Sequence, residues 1–272
     1  IKKAMERNIV KKIIIANWKM NKTIKEGLLF IESFLNLNPP LEKIETVISP
    51  SYVLIYPIYE AIKGSSLYLS AQNLFYEKDG PYTGEVSGEV LKEAGCKYVL
   101  IGHSERRKLF YETPEVVYRK FIAAKNFDLI PVICFGEELN ERKNGKTISV
   151  IDNQLKEYYN YKNLILAYEP VWSIGTGIIP KKQEIEEVGN YVKERFDNDV
   201  TLIYGGSVDK SNIDELLNVK NIDGFLVGRA SLDPKKNISG SLYYTNFVPT
   251  YGNPPTDGYF VNYNFGTFTY YH

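Results

Sequence analysis

Side chains with chemical potential recur where short apolar runs of this sequence end. His103 follows the run YVLIG, and the only other histidine of the 272-residue chain is His272. Glu169 follows LILAY in the same way, and Asn17 and Lys19 lie at the end of the first run, IIIANWK. A carboxylate that ends a buried strand is costly to desolvate unless it is paired or used. An imidazole, a carboxylate and an ammonium group together suffice for acid–base chemistry on an anionic molecule.

His103 is open to two interpretations. The usual role of a lone histidine is a buried ring whose polar atoms are satisfied by the backbone. The following Ser104 is a favourable N-cap for a short helix, and the positive end of a helix lowers the pKa of an adjacent imidazole. A neutral imidazole at pH 7 donates a hydrogen bond to an oxygen that gains negative charge. Spacing alone leaves the structural and the catalytic roles equally open.

The segment after Glu169 predicts a lid over this carboxylate. Pro170 stiffens the exit from the strand, Trp172 is a large apolar anchor, and SIGTG supplies two glycines. Desolvation beneath an apolar lid raises the pKa of a glutamate and makes it a candidate base, whereas an open loop would leave it solvated. Lys19 is also open to two interpretations. A lysine on the surface is the usual case, whereas one that points inward over the barrel mouth would provide a cation for an anionic substrate.

Two glycine-rich segments predict a phosphate site. YGGSV (204–208) and VGRAS (227–231) end the last two apolar runs. Backbone N–H groups at such strand ends bind phosphate when a helix N-terminus follows. The loops after the seventh and eighth strands hold phosphate in many barrels. Each segment alone is a weak signal, and the pair on successive strands is a more specific one.

Eight apolar runs predict the strands that must position these residues. Most are continuous rather than alternating, as expected for parallel strands buried on both faces. The runs are IIIANW (13–18), ETVISP (45–50), LYLSAQ (67–72), YVLIGH (98–103), LIPVICF (129–135), LILAYE (164–169), TLIYGG (201–206) and GFLVGR (224–229).

Helix-like stretches separate the runs. Residues 23–36, 114–127 and 181–196 have apolar residues at helical spacing, and Thr113 and Pro114 form a favourable start for the second stretch. In the first stretch, the predicted buried stripe is Ile24, Leu28, Ile31 and Leu35. The alternation predicts an α/β fold, a (β/α)8 barrel whose active site lies at the C-terminal strand ends. A doubly wound open sheet is the alternative, but no G-x-G-x-x-G follows the first run.

Composition narrows the classes of partner. Basic and acidic residues both number 33, so neither a nucleic-acid-binding face nor an acidic tail is expected. No apolar run is long enough to span a membrane, and the N-terminal residues lack the apolar core of a secretory signal. Two distant cysteines, Cys96 and Cys134, fit a reducing cytoplasm rather than a disulfide framework. We expect no metal site and no cofactor.

Seven blocks carry a family resemblance. ANWKMN, AQNLF, GPYTGE, IGHSERR, AYEPVWSIGTG, YGGSV and GFLVGRAS occur in this order and resemble the signature blocks of the triosephosphate isomerase family over residues 11–234. GHSERR and AYEPVW with IGTG are the most specific. The resemblance implies interconversion of dihydroxyacetone phosphate and D-glyceraldehyde 3-phosphate by proton transfer through an enediolate, in glycolysis and gluconeogenesis.

The resemblance also implies a role for each site residue. Glu169 would be the base that moves a proton between C1 and C2, and His103 the neutral group that polarises the carbonyl. Asn17 and Lys19 would bind substrate, with Glu105 as the partner of Lys19. The phosphate-contacting positions are Gly175, Ser207, Gly228 and Arg229. The lid, residues 170–180, includes Pro170, Val171, Trp172, Gly175, Thr176 and Gly177. The interface loop includes Thr83 and Glu85, which implies a homodimer.

Two departures from the family pattern concern the site. Arg229 stands where the family usually has the second glycine of VGGAS. With a negative φ at this position, the backbone N–H could still bind phosphate, and the guanidinium would add positive charge. A positive φ would cost about 1 kcal/mol or more. We expect the arginine to be tolerated. Pro180 ends the lid and restricts one hinge torsion, so we expect slower or less complete closure.

The ends of the chain define the predicted domain limits. We expect an N-terminal extension over 1–10, the catalytic barrel over 11–236, and an atypical tail over 237–272. The tail is rich in Gly, Pro, Asn and Tyr and lacks an apolar stripe, so an irregular or disordered segment is expected in place of the eighth helix. From this tail, and because residue 1 is Ile while Met5 is a possible start, we hypothesise a conceptual translation with a shifted reading frame near residue 237. Resequencing of the gene's 3′ end would test it.

Two alternatives to the isomerase stay open at this stage. One is a catalytically impaired, phosphate-binding barrel. The other is a different phosphosugar enzyme on the same fold, which the combined match of Glu169, His103 and Lys19 disfavours.

Overall fold

Eight parallel strands form a closed barrel. The structure is a computed structural model, and it describes residues 12–39, 41, 44–176 and 178–234. Each strand pairs with its neighbours in the chain, and the eighth pairs with the first. The strands are β1 (Ile13–Asn17), β2 (Glu45–Ser49), β3 (Leu67–Ala71), β4 (Tyr98–Ile101), β5 (Ile130–Phe135), β6 (Leu164–Tyr168), β7 (Val200–Tyr204) and β8 (Gly224–Val227). The predicted (β/α)8 barrel is thereby confirmed.

Continuous apolar strands are explained by two separate layers of packing. Alternate residues of β1, Ile13 and Ile15, point into the barrel and pack with the inward side chains of the other strands. Ile14 and Ala16 belong instead to the larger cluster between the strands and the outer helices. Because both faces are buried, the strand sequences show no polar alternation.

The outer helices begin at favourable caps. Thr23 caps the first helix in a capping box with Glu26, and Thr113 accepts the N–H of Val116 ahead of Pro114. The helices are α1 (Ile24–Asn36), α2 (Tyr52–Ile62), α3 (Gly88–Glu93), α4 (Ser104–Leu109), α5 (Pro114–Asn126), α6 (Leu139–Lys143), α7 (Thr147–Leu155), α8 (Lys182–Arg195) and α9 (Ile213–Leu217). The three helices predicted from spacing are α1, α5 and α8, each within one residue of its predicted ends.

The predicted buried stripe of α1 was wrong in part. Ile24 and Leu28 are 46% and 36% exposed. The buried face consists of Gly27, Phe30, Ile31 and Phe34. Trp18, at the end of β1, packs edge-on against Phe30 at 4.9 Å between ring centroids, and this aromatic contact selects the face that turns inward.

The described chain ends shortly after β8. A 3₁₀ turn, Arg229–Ser231, follows the strand, and the description stops at residue 234. The predicted extension over 1–10, the predicted tail over 237–272 and lid residue Gly177 lie outside the described residues. Within the described part of the chain, no helix is long and apolar enough to cross a membrane.

Candidate active site

The predicted residues meet at the C-terminal end of the barrel. Because all strands are parallel, their C-terminal ends and the following loops share one side of the molecule. Lys19 follows β1, His103 follows β4 and Glu169 follows β6. His103 and Glu169 are 6% and 1% exposed, so their polar atoms depend on protein partners.

Glu169 and His103 are in direct contact. Glu169 Oε1 lies 3.0 Å from His103 Nε2. The other carboxylate oxygen, Oε2, accepts the backbone N–H of Ser104 at 2.8 Å. His103 Nδ1 accepts the backbone N–H of Glu105 at 3.2 Å, which requires a lone pair on that nitrogen and places the ring proton on Nε2, facing the carboxylate. His103 itself is the N-cap of α4, so the predicted cap at Ser104 was one residue too far along.

The facing charges govern the protonation of both groups. Burial lowers the pKa of His103, but the charge of Glu169 and the hydrogen bond with it outweigh burial, so the pKa lies above its ordinary value. Burial raises the pKa of Glu169, but the charge of His103, the hydrogen bond with it and the Ser104 N–H outweigh burial and leave the pKa below its ordinary value. Because Nδ1 accepts a hydrogen bond, the ring in this arrangement is a neutral imidazole whose Nε2 proton faces the carboxylate, and the two groups form an ion pair only when His103 is protonated.

Both predicted pKa directions were therefore wrong for this arrangement. The sequence predicted a lowered histidine pKa from the start of α4 and a raised glutamate pKa from desolvation. Each prediction considered one local influence. The structure brings the two groups within hydrogen-bond distance, and a direct partner outweighs burial and the end of a six-residue helix.

Lys19 lies above the pair and is held from several sides. Its ammonium group forms an ion pair with Glu105 at 2.6 Å, as the resemblance implied. Its backbone has a left-handed φ of 52°, and its N–H donates to Asn17 Oδ1 at 3.0 Å. Gln72 donates to the Lys19 carbonyl at 2.9 Å. These contacts hold an uncommon backbone conformation, a frequent feature of functional positions.

The phosphate-type loops border Lys19. A Cβ added to Gly228 would lie 3.6 Å from Lys19 Cε, so the loop after β8 approaches the ammonium stem closely. Arg229 is exposed, and its φ is not positive. The strain that a positive φ would have caused is therefore absent, and the tolerance of an arginine at this position stays a prediction. Ser207, after β7, donates from Oγ to the Ser173 carbonyl at 2.6 Å, so in this arrangement it binds the lid.

The lid begins with a short 3₁₀ turn, Val171–Ser173. Trp172 donates from Nε1 to the buried carboxylate of Glu137 at 3.1 Å. Gly175 has a φ of 70°, a conformation that disfavours other residues, and Thr176 Oγ1 donates back to the Trp172 carbonyl at 3.0 Å. No described contact joins Gly175 to the Glu169–His103 pair.

The predicted interface residues lie apart from the pair. Thr83 and Glu85 are exposed on the long loop between β3 and α3. A backbone hydrogen bond from Glu85 to Tyr82, at 3.0 Å, closes a tight turn around Thr83. The described chain shows where these side chains are presented and not what contacts them.

Sequence reasoning missed two supports of the site. Gly136 passes so close to Glu169 that a Cβ there would lie 1.8 Å from the Glu169 carbonyl oxygen, so only glycine fits. The second support is Glu137, which follows β5, and its hydrogen bond from Trp172 was not predicted. The run ending FGE was the available signal for both. Among the described residues, no group of three or more His, Cys, Asp or Glu could hold a metal ion.

The fold and this site define a class of protein, a (β/α)8 barrel with a buried carboxylate–imidazole pair beside a lysine at the C-terminal ends of its strands. Comparison with known proteins agrees. A profile described as triosephosphate isomerase matches residues 12–244. The chain therefore belongs to the triosephosphate isomerase family.

Relatives from distant organisms have similar sequences over most of their length. Triosephosphate isomerase of Dictyoglomus thermophilum is 44% identical over 239 residues, which cover 83% of this chain and 96% of the relative. That of Thermodesulfovibrio yellowstonii is 41% identical over 237 residues, with the same two coverages of 83% and 96%. That of Mesomycoplasma hyopneumoniae is 45% identical over 235 residues, with coverages of 84% and 97%.

Proposed function

We propose that this chain interconverts dihydroxyacetone phosphate and D-glyceraldehyde 3-phosphate, a step of glycolysis and gluconeogenesis. The contact that carries the proposal is the 3.0 Å approach of Glu169 to His103 at the mouth of the barrel, beside Lys19. Isomerisation of a ketose to an aldose moves one proton between neighbouring carbons and one between their oxygens, so it needs a base and a group that stabilises oxygen charge.

Glu169 is the base in this proposal. It removes a proton from the carbon next to the carbonyl and returns it to the other carbon. To reach substrate, the carboxylate leaves its contacts with His103 and the Ser104 N–H, which are 3.0 and 2.8 Å long. Losing the contacts with His103 and the Ser104 N–H raises the pKa of Glu169 from its lowered value, so the carboxylate becomes a stronger base as it engages the substrate.

His103 and Lys19 stabilise the developing charge. With Glu105 N–H held by Nδ1, the imidazole presents its Nε2 proton to the mouth, where it donates to the substrate carbonyl oxygen. Lys19 supplies a positive charge, and Asn17 fixes the Lys19 backbone. The enediolate therefore forms between one neutral donor, His103, and one cation, Lys19.

Phosphate binding falls to the loops after β6, β7 and β8. Gly175, Ser207, Gly228 and Arg229 supply backbone and side-chain donors. Ser207 must exchange its contact with the Ser173 carbonyl for the phosphate, so phosphate binding and movement of the lid, 170–180, are coupled. A closed lid excludes water from the enediolate and suppresses loss of phosphate.

The proposed activity is tested by isomerisation of D-glyceraldehyde 3-phosphate with the purified chain, coupled to a dehydrogenase that consumes dihydroxyacetone phosphate. Turnover that 2-phosphoglycolate inhibits is the expected result. Absence of turnover with retained binding of 2-phosphoglycolate would support the impaired, phosphate-binding barrel instead.

We also propose that the chain forms a homodimer in the cytoplasm through the loops after β1, β3 and β4. Large exposed apolar side chains lie on the segments that follow these three strands: Met20 (95%), Tyr82 (40%), Leu109 (63%), Phe110 (62%) and Tyr111 (84%). A contiguous exposed apolar patch is unfavourable in water and typical of an interface. Glu112, which binds the buried ammonium of Lys120 at 2.5 Å, anchors the segment that presents three of them.

Sedimentation velocity tests the dimer. Thr83→Arg places a charge at the tip of the loop and is expected to give a monomer. Leu29→Arg is the matched control, since Leu29 is 51% exposed on α1, away from these loops. A parent chain that sediments as a monomer, or equal effects of the two changes, would contradict the proposal.

A further inference from the structure

One guanidinium outside the proposed catalytic set contacts three carboxylates. Arg142, on α6, lies 3.2 Å from Glu137 Oε1, 3.3 Å from Glu184 Oε1 and 2.9 Å from Glu187 Oε2. Its side chain is 12% exposed. A planar guanidinium can direct several donors at once, which a lysine ammonium on a flexible stem does less well.

The first of these carboxylates holds the start of the lid. Glu137 is fully buried, and its Oε1 accepts Trp172 Nε1 and Tyr168 OH, each at 3.1 Å. Its carbonyl accepts the N–H of Val171 at 3.1 Å. A buried carboxylate requires a compensating charge, and Arg142 is its ion-pair partner among the described residues.

The other two carboxylates lie just beyond the end of the lid. Glu184 and Glu187 are on the first two turns of α8, which follows the lid directly. Arg142 therefore links both ends of the lid. Trp172, Arg142, Glu184 and Glu187 line one surface cavity of about 480 Å³, so the start of the lid and the start of α8 border the same space.

We propose that Arg142 is a positioning residue for the lid, holding Trp172 through Glu137 while fixing α8 through Glu184 and Glu187. The inference rests on the proposed isomerase and its lid at 170–180. Arg142 does not touch the Glu169–His103 pair, so its effect is confined to reactions in which the substrate phosphate closes the lid. A substrate without phosphate draws no binding energy from that closure.

The test compares two substrates in matched variants. Arg142→Gln removes the charge and the planar group of donors, and Arg142→Lys keeps the charge alone. The control is Arg195→Gln, which removes an exposed arginine of α8 whose nearest carboxylate, Asp152, is 3.7 Å away. For each variant we would measure kcat/KM with D-glyceraldehyde 3-phosphate and with glyceraldehyde, and the inorganic phosphate released per turnover.

Arg142→Gln is expected to lower kcat/KM for the phosphorylated substrate by about 10- to 100-fold, as misplacement of a catalytic segment does, and to release more phosphate per turnover. With glyceraldehyde, kcat/KM stays within about twofold of the parent value. Arg142→Lys recovers part of the loss. Equal losses with both substrates, or behaviour like that of Arg195→Gln, would overturn the proposal.

A second variant covers the case in which Arg142→Gln does not fold. The double change Glu184→Gln with Glu187→Gln leaves the Glu137 pair intact and cuts only the link to α8. It is expected to produce the same selective loss on a smaller scale, and no loss would overturn the link. If the parent chain does not isomerise triose phosphates, the proposed function fails. In that case, the change in tryptophan fluorescence on adding 2-phosphoglycolate reports movement of the lid. The same fluorescence change in Arg142→Gln as in the parent chain would overturn the proposal.

Discussion

Two buried glutamates, which follow neighbouring strands, differ in the donors that hold their carboxylates. Glu169 follows β6 and Glu137 follows β5, and they are 1% and 0% exposed. Glu137 Oε1 receives donors from Arg142, Tyr168 and Trp172. Glu169 has one imidazole and one backbone N–H, and its imidazole is itself a group that the substrate would engage.

The difference separates a structural carboxylate from a reactive one. Three donors on three elements hold Glu137, and any movement of it would break contacts to all of them. Glu169 can exchange its contacts for substrate because there are only two of them and both lie at the mouth of the barrel. Neither burial nor the position after a strand distinguishes the two carboxylates. They differ in how many donors contact them and in which elements those donors come from.

The sharpest test of the comparison is the same substitution at both positions. Glu169→Gln removes the base, so kcat is expected to fall by about 10³-fold or more while the melting temperature changes little. Glu137→Gln leaves Arg142 without its buried partner and is expected to reduce the free energy of unfolding by about 2 kcal/mol. Steady-state kinetics and thermal unfolding measure both effects. A larger stability loss at Glu169 than at Glu137 would reverse the assignment.

His103→Gln tests the other half of the reactive pair. Loss of the polarising donor is expected to lower kcat by about 10²- to 10³-fold. Glu169 ionises below its ordinary pKa because His103 faces it, so removing that partner raises the pKa of Glu169. The acid limb of the kcat/KM profile should therefore move to higher pH. An acid limb that stays in place would show that His103 does not control Glu169.

Arg229 tests the phosphate side of the site. Arg229 is exposed on the turn that follows β8, so its guanidinium is accessible to a dianion from solvent. Arg229→Gln is expected to raise KM about fivefold at low ionic strength, with a smaller change in kcat. Raising the salt concentration should shrink the difference, because an exposed charge is screened. A salt-independent difference would indicate a backbone effect instead.

Pro180→Ala is expected to have the smallest effect. Alanine frees one torsion at the end of the lid, so kcat should rise slightly, by about twofold, if lid movement limits turnover. The melting temperature is the companion measurement, since Pro180 is buried and its replacement loosens the unfolded chain as well. A kcat at or below the parent value would contradict the predicted restriction of the hinge.

Local features of the sequence predicted most of the fold. Continuous apolar runs identified all eight strands because a parallel strand buried on both faces is apolar along its whole length, which is visible without knowing its partners. Thr113 with Pro114 marked the start of α5 because a cap is a contact within one turn. The buried face of α1 was not predicted, since two apolar stripes were available and the packing of Trp18 on Phe30 selected one.

By itself, the sequence determined the order of strands and helices, the residues at the strand ends and the resemblance that identified their roles. Only the tertiary structure decided the direct contact of Glu169 with His103, the three donors that hold Glu137 and the contacts of Arg142 with Glu137 and Glu184. The reason is physical. Periodicity, caps and turns act over a few residues, whereas a pKa or an ion pair depends on groups that the closed barrel brings together from distant parts of the chain.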